Sequence, residues 1–321
     1  MQQRAGAGLG LAVVSAATFG TSGTFAASLL EAGWTPGAAV TARVLIAALA
    51  LTVPALLLLR GQWGRLRRGS RGVTVYGLVA VAGCQLAYFN AVQTLSVAVA
   101  LLLEYSGALM VVGWLWLRHQ HRPRRLTVLG ALVAVGGLLL VLDVLGDAVL
   151  DPVGVLWGLG AAVGLACYFV LSAEQGQDAL PPLVVAWGGL AVGGTALAVA
   201  GAVGVLPMRA PRVDVVLRGA EVSWLVPVLG LALVAGALAY VSGIVGARML
   251  GAKIASFVGL TEVLFAVAVA WLVLGQSLAP VQLLGGLLVV GGIALVRLDE
   301  LRGGEPAVPV TPGADLVTHP G

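Results

Sequence analysis

Runs of about twenty apolar residues, separated by short polar stretches, fill this chain from residue 8 to residue 297. Each is long enough to cross a hydrocarbon layer of roughly 30 Å at about 1.5 Å per residue. The pattern predicts ten spans, at 8–29, 37–59, 73–93, 97–117, 126–143, 153–173, 182–204, 223–243, 254–274 and 280–297. Lipid offers the backbone no hydrogen-bond partners, so the spans must be helices and the fold class is an all-α polytopic membrane protein. From Asp299 the sequence turns to Pro, Gly and charge, which predicts a disordered tail over 299–321.

One apolar pattern occurs twice. LGALVAVGGLLLV from Leu129 returns as LGGLLVVGGIALV from Leu284, 155 residues later (284 − 129). At the same offset Leu95 falls on Leu250, Trp116 on Trp271, Gly130 on Gly285, and Gly136-Gly137 on Gly291-Gly292. An internal repeat of this length predicts the architecture before any single motif does. It divides the chain into a first five-helix repeat over 1–145 and a second over 146–298. Five is odd, so the second copy must be inverted in the membrane relative to the first. Two inverted five-helix units form the architecture of a secondary transporter.

The loop charges agree with inversion. Arg60, Arg65, Arg67, Arg68 and Arg71 follow span 2, and Arg118, Arg122, Arg124 and Arg125 follow span 4. The positive-inside rule puts both loops in the cytoplasm, with both termini. Asp143, Asp147 and Asp151 follow span 5 with no Lys or Arg, as suits the outside. The Arg-rich 118–125 maps by the repeat offset onto 273–280, VLGQSLAP, which carries no charge. Arg209, Arg212 and Arg218 fall in the outer loop between spans 7 and 8, partly offset by Asp214 and Glu221; this PMRAPRVDVVLRGAE stretch is expected along the membrane interface. Fourteen of the eighteen Lys and Arg still lie inside, three lie outside, and Arg43 lies in the membrane.

Composition narrows the class further. The chain is 60% hydrophobic and 10% charged with a mean hydropathy of +1.03, where a soluble domain needs roughly a quarter of its residues charged. The pI near 9.5 does not indicate nucleic acid, because the positive charge sits in short loops without aromatic interleaving. Cys84 and Cys167 lie within apolar runs, so neither a disulfide framework nor a metal knuckle is expected. Met1 to Arg4 and the run after them imitate a signal peptide, but the run is long and many spans follow, which reads as an uncleaved first helix. GAGLG at 6–10 precedes no strand–helix unit, and the chain has no H-E-x-x-H, G-x-S-x-G or P-loop motif. His119, His121 and His319 form no buried dyad. The sequence therefore predicts no enzyme, no ATP-driven pump, and no cofactor or metal.

Three charged residues lie well inside spans, Arg43, Glu104 and Glu262, each costing at least about 2.5–3.5 kcal/mol on insertion scales unless it has a partner or water. Glu104 is expected roughly 10 Å below the outer end of span 4, and Glu262 at a comparable depth from the inner end of span 9. Their separation of 158 residues (262 − 104) misses the repeat offset by three, nearly one helical turn, so the side-chain face is roughly kept. One or both acids could bind a proton or a substrate amine; alternatively they are structural, protonated or tied to Arg43. Arg43, near the outer end of span 2, reads as a structural intramembrane charge that snorkels.

Polar and aromatic residues cluster on particular spans. Ser22 and Phe25 lie on span 1 beside Thr18, Phe19, Thr21 and Thr24; Gln85, Tyr88 and Asn90 on span 3; Tyr105 and Ser106 beside Glu104 on span 4. Tyr168 and Ser172 lie on span 6, Tyr240 and Ser242 on span 8, and Ser256, Phe257 and Thr261 on span 9. Singly, such hydroxyls are glue between helices or bond their own backbone. Together they predict a cavity lined by spans 1, 3, 4, 6, 8 and 9, with spans 2, 5, 7 and 10 facing lipid or a partner such as a second copy in a homodimer. Gly154/Gly158, Gly160/Gly164 and Gly189/Gly193 have the small-xxx-small spacing of close helix packing.

Ten spans in two halves, each closing on E-x-x-x-(apolar)-W…L-G-x-L-x-x-x-G-G, resemble the EamA-type transporters of the drug/metabolite transporter superfamily. Residues 246–296, GARMLGAKIASFVGLTEVLFAVAVAWLVLGQSLAPVQLLGGLLVVGGIALV, carry the likeness best, with Gln276 where the family commonly has Glu. AVALLLEYSGALM (98–110) and CYFVLSAEQG (167–176) resemble the threonine/homoserine exporter branch. The resemblance implies a carrier of the bacterial-type cytoplasmic membrane for small metabolites, often an amino acid exporter, proton-linked, with a central cavity between the repeats. It implies that Glu104, Tyr105 and Ser106 match the family's polar patch on span 4, and Thr261 and Glu262 its counterpart on span 9. The small multidrug members carry an essential acid in the first helix, which this chain lacks.

The expected function is a secondary active exporter of a small amino acid-like metabolite, working by alternating access with proton exchange. Two other readings stay open: an uptake carrier or facilitator for a sugar or nucleobase with structural acids, and a non-transport scaffold or intramembrane enzyme.

Overall fold

The computed structural model describes residues 2–95, 97–119, 123–142, 151–174, 179–217, 220–274 and 279–303. The chain is an all-α polytopic membrane protein. Eight helical segments are long and apolar enough to cross a membrane: Gly6–Glu31, Pro36–Leu59, Trp63–Ala91, Val99–Arg118, Pro152–Ser172, Pro182–Ala202, Leu225–Gly259 and Pro280–Arg302; Arg125–Val141 is a shorter apolar helix. Their outward faces carry exposed Leu49, Val53, Leu132, Leu156 and Leu287, an apolar surface that suits lipid.

Four of the eight segments are composite. The first consists of α1 (Gln2–Gly20) and α2 (Ser22–Glu31). Thr18 and Thr21 at the break turn their hydroxyls back onto the carbonyls of Val14, Ser15 and Thr18, a bond that bends helices. Next comes α3 (Pro36–Leu59), opened by proline at its first turn. A third segment joins α4 (Trp63–Val75), a π-helical run Tyr76–Gly83 and α5 (Cys84–Ala91). Ser106 separates α6 (Val97–Tyr105) from α7 (Gly107–His119), and α8 (Arg125–Val141) follows. The second half begins with α9 (Pro152–Ser172), whose N-terminus Asp151 caps by accepting from the Gly154 amide at 2.7 Å, and α10 (Pro182–Ala202). Then α11 (Leu225–Leu229), a second π-helical run Gly230–Leu238 and α12 (Ala239–Gly259) run together, before α13 (Thr261–Leu274) and α14 (Pro280–Gly303).

Several boundaries correct the sequence expectation. Four of the five arginines after span 2, all but Arg60, are on a helix, not a loop: Leu66 and Val73 of α4 pack with Leu59, Leu180 and Val184 and leave Arg65, Arg67 and Arg71 exposed. Expected spans 8 and 9 meet without a loop, at Gly251 of α12, whose φ of 80° and ψ of 159° stop the regular helix; only glycine adopts them without steric cost. The stretch before α11 forms a hairpin of β1 (Val215–Leu217) and β2 (Ala220–Val222), with Val215 opposite Val222. Val215 is buried with Leu29, Trp34, Val228 and Leu231, and the Trp34 indole donates to the Pro211 carbonyl at 2.8 Å. The last helix runs through Asp299 to Gly303, past the start of the expected tail. Residues 304–321, the boundary at 145/146, Asp143, Asp147, Arg122, His121, Arg218 and Gln276 lie outside the described residues.

α8 and α14 are the two copies of the repeated pattern, and they touch through its glycines. A Cβ added at Gly130 would lie 2.7 Å from the Gly292 carbonyl oxygen, and one at Gly137 would lie 2.6 Å from that of Gly285. The earlier glycine of one helix meets the later glycine of the other, so the two run antiparallel. One end of this pair is fastened by Thr127, whose hydroxyl donates to Asp299 Oδ2 at 2.6 Å, with both side chains buried. Thr127→Val should lower the melting temperature of the detergent-solubilised protein, since it strands a buried carboxylate at a cost of about 1–3 kcal/mol. Thr127→Ser, which keeps the donor, should melt close to the wild type; equal loss in both variants would exclude this bond as the cause.

The two π-helical runs are also spaced as the repeat. Their starts, Tyr76 and Gly230, are 154 residues apart, and their ends, Gly83 and Leu238, are 155 apart. The helix interruptions at Ser106 and Leu260 are 154 apart as well. The π-helical run in the first half packs on α10, where a Cβ added at Gly193 would lie 2.8 Å from the Gly77 carbonyl oxygen; the run in the second half packs on α3, with Gly236 against Ala47.

Candidate functional site

A cavity of about 290 Å³ lies among the helices. Its walls come from α1, α2, α3, the first π-helical run, α5, α6, α9, α12 and α13; among the described residues α8, α10 and α14 contribute nothing. Each wall is one face of a helix. Ala12, Ser15, Phe19, Ser22 and Gly23 recur at helical spacing along α1 and α2; Ala80, Cys84 and Tyr88 do so through the π-helical run and α5. On α6 the face is Val97, Leu101, Glu104 and Tyr105, and across from it run Ala255, Gly259, Glu262 and Ala266.

Both intramembrane acids line this one space, each two residues from a helix interruption: Glu104 precedes Ser106 and Glu262 follows Leu260. They lie on opposite sides of corresponding breaks, which accounts for the three residues by which their spacing misses the repeat. The Cys84 thiol donates to Glu104 Oε1 at 3.3 Å, and Tyr105 lines the same space as Glu262. Arg43 departs from the expectation of a snorkelling residue. It is 8% exposed, lines the cavity, and donates from Nη2 to the Ala235 carbonyl in the second π-helical run at 2.6 Å. Its guanidinium carbon stands 5.4 Å from the centre of the Phe19 ring, within cation–π range.

An aromatic floor supports these charges. Phe19 meets Tyr240 edge to face at 5.2 Å, Tyr240 meets Tyr168 at 5.7 Å, and Tyr168 meets Phe169 at 5.0 Å. Edge-to-face pairs of this kind fix ring orientation beyond simple apolar burial.

Of the side chains singled out from the sequence, the fold brings Ser22, Arg43, Gln85, Tyr88, Glu104, Tyr105, Tyr168, Tyr240 and Glu262 to the cavity. Five others are not among its lining residues. Ser106 donates to the Leu103 carbonyl at 2.5 Å, Asn90 to that of Leu86 at 2.7 Å, and Thr261 to that of Val258 at 2.7 Å. Phe25 packs on Gly230, and Phe257 is buried in a cluster with Tyr105, Leu260 and Val263. Sequence reasoning did not select Ser15, Phe19, Cys84 and Phe169 as site residues, although all four line the space. Helical spacing from residues already chosen would have found the first three, since Cys84 is four before Tyr88 and Phe19 three before Ser22.

A polar, charge-bearing cavity enclosed by membrane helices defines a membrane transporter, and the comparisons agree. The chain belongs to the EamA-like transporter family, whose model matches residues 6–143 and again residues 152–298. An uncharacterised inner membrane transporter of Salmonella typhimurium, YicL, is 23% identical over 239 residues, covering 74% of this chain and 76% of the relative. An uncharacterised transporter of Archaeoglobus fulgidus is 27% identical over 232 residues, covering 72% of this chain and 77% of its own. One protein of known crystal structure superposes with a TM-score of 0.73 at 20% identity, over 92% of this chain and 98% of that one, a likeness of fold.

Proposed function

We propose that this transporter is a secondary active carrier of the cytoplasmic membrane that exports a small amino acid-like metabolite by alternating access, exchanging it for a proton. The observation that carries the reading is that Glu104 and Glu262, from different halves of the chain, line a single cavity. A carboxyl in such a space can hold either a proton or a substrate ammonium, and mutual exclusion of the two is the simplest form of coupled exchange.

Ten crossings in two inverted halves, 1–145 and 146–298, suit this mechanism, because two related halves can present one site to each side in turn. The double family match, the antiparallel glycine contact of α8 with α14, the paired π-helical runs and the paired interruptions all support it. The excess of Lys and Arg on one side supports cytoplasmic termini.

Cells overproducing the protein should release more of at least one amino acid-like metabolite into the medium and tolerate it better from outside. In proteoliposomes, an imposed pH gradient should drive that compound towards the acidic compartment. Transport at the same rate with and without the gradient would overturn the proton coupling; enhanced accumulation inside overproducing cells would overturn the direction.

A further inference from the structure

We infer that Arg43 is the anchor of a carboxylate-binding subsite, placed in the cavity to hold the acid group of a zwitterionic substrate whose ammonium group meets Glu104 or Glu262. The inference rests on the transporter reading above and states what one wall of its cavity recognises.

Three observations carry it. First, the guanidinium is buried yet nearly unspent: of its five N–H donors, one makes a bond among the described residues, to the Ala235 carbonyl. Second, no ion pair among the described residues joins Arg43 to Glu104 or Glu262, although all three line the same space. Glu104 and Glu262 act on this guanidinium only across the cavity, without a direct pair, so its planar fork is not taken up by either acid, and that fork matches a carboxylate in two parallel bonds. Third, the fork is already positioned, by the Ala235 carbonyl on one side and the Phe19 ring at 5.4 Å on the other, with Tyr240 and Tyr168 holding that ring. A donor fixed before the ligand arrives loses little freedom on binding.

The rest of the cavity selects what carries the carboxylate. Glu104 and Glu262 present acceptors suited to an ammonium group, and Phe19, Tyr88, Phe169 and Tyr240 supply an apolar wall. At about 290 Å³ the space sits at the small end of ligand sites, which start at roughly 300 Å³. A simple amine would meet the acids but leave the fork empty; a simple carboxylate would meet the fork but leave the acids facing it. A zwitterion satisfies both.

The test uses proteoliposomes of wild type, Arg43→Gln and Arg43→Lys, with a panel of the protein amino acids and the amines formed from them by decarboxylation. For the amino acids that wild type carries, Arg43→Gln should lower transport relative to the matching amine by roughly tenfold or more, mostly through KM, as loss of a charge-assisted pair predicts. Arg43→Lys should recover part of the ratio, because it restores charge but not the fork. An Arg43→Gln protein that elutes as a single species and loses amino acid and amine transport equally, or keeps the wild-type ratio, would overturn the subsite. Should Arg43→Gln fail to fold, wild type alone decides: methyl esters of transported amino acids should inhibit roughly tenfold more weakly than the free acids, and equal inhibition overturns the proposal. A wild type that carries no member of the panel under either pH gradient removes the amino acid reading itself, and the subsite with it.

Discussion

Glu104→Gln combined with Glu262→Gln should abolish the response of transport to a pH gradient and lower gradient-driven transport by roughly tenfold or more, each decade being about 1.4 kcal/mol. The fold should survive the change. A glutamine at 104 keeps an oxygen for the Cys84 thiol, and one at 262 keeps the size and polarity of the side chain it replaces. What the amides lose is the ability to take up and release a proton, and the negative charge that would hold an ammonium group. The single variants separate the two acids: the one whose replacement alone removes the pH response carries the exchanged proton. Undiminished response in the double variant, with protein in the membrane at wild-type level, would strip both acids of a coupling role and leave the carrier to run on the substrate's own gradient.

The second large effect is expected far from the cavity. Gly137→Ala should destabilise the solubilised protein by about 1–3 kcal/mol, the usual cost of overpacking a close contact. Its new Cβ would fall 2.6 Å from both the Gly285 carbonyl oxygen and the Val289 amide nitrogen, and neither backbone atom can move without moving α14. The neighbouring Gly136→Ala is the control. Nothing lies within 4 Å of a Cβ at that position, so the variant should be neutral or gain up to about 0.5–1 kcal/mol of helix propensity. The same contrast should appear between Gly292, where an added Cβ would lie 2.5 Å from the Gly130 carbonyl oxygen, and Gly291, where nothing lies within 4 Å of one. Thermal melts read all four variants. Identical melts for Gly136→Ala and Gly137→Ala would mean that α8 and α14 do not approach through these glycines.

That contrast also marks how far sequence reading reaches. The GG pairs of the repeat were plain in the sequence, but which glycine of each pair faces a neighbour depends on how the two helices are rotated about their axes. The same limit applies at the cavity. The hydroxyl-rich and aromatic spans 1, 3, 4, 6, 8 and 9 line the cavity, and so does span 2 through Arg43, although that span was expected to face lipid or a partner. Within those spans Ser106, Asn90 and Thr261 turned out to bond carbonyls of their own helices, a choice that composition does not reveal. Arg43 reaches inward rather than snorkelling for a related reason: a long cationic side chain on an apolar span can turn either way, and its bond to the buried Ala235 carbonyl, invisible in sequence, settles which.

Hydropathy, charge asymmetry and the 155-residue recurrence were sufficient to determine a helical membrane protein of transporter type, because the bilayer forces apolar length and backbone self-satisfaction onto any chain that crosses it. Tertiary structure alone decided that Glu104 and Glu262 share one cavity, that Arg43 joins them there, and that the basic stretch after span 2 is a packed helix. Membrane insertion depends on sums over a whole span and so is written in composition; a site depends on the rotation and contact of particular helices, which only their packing sets.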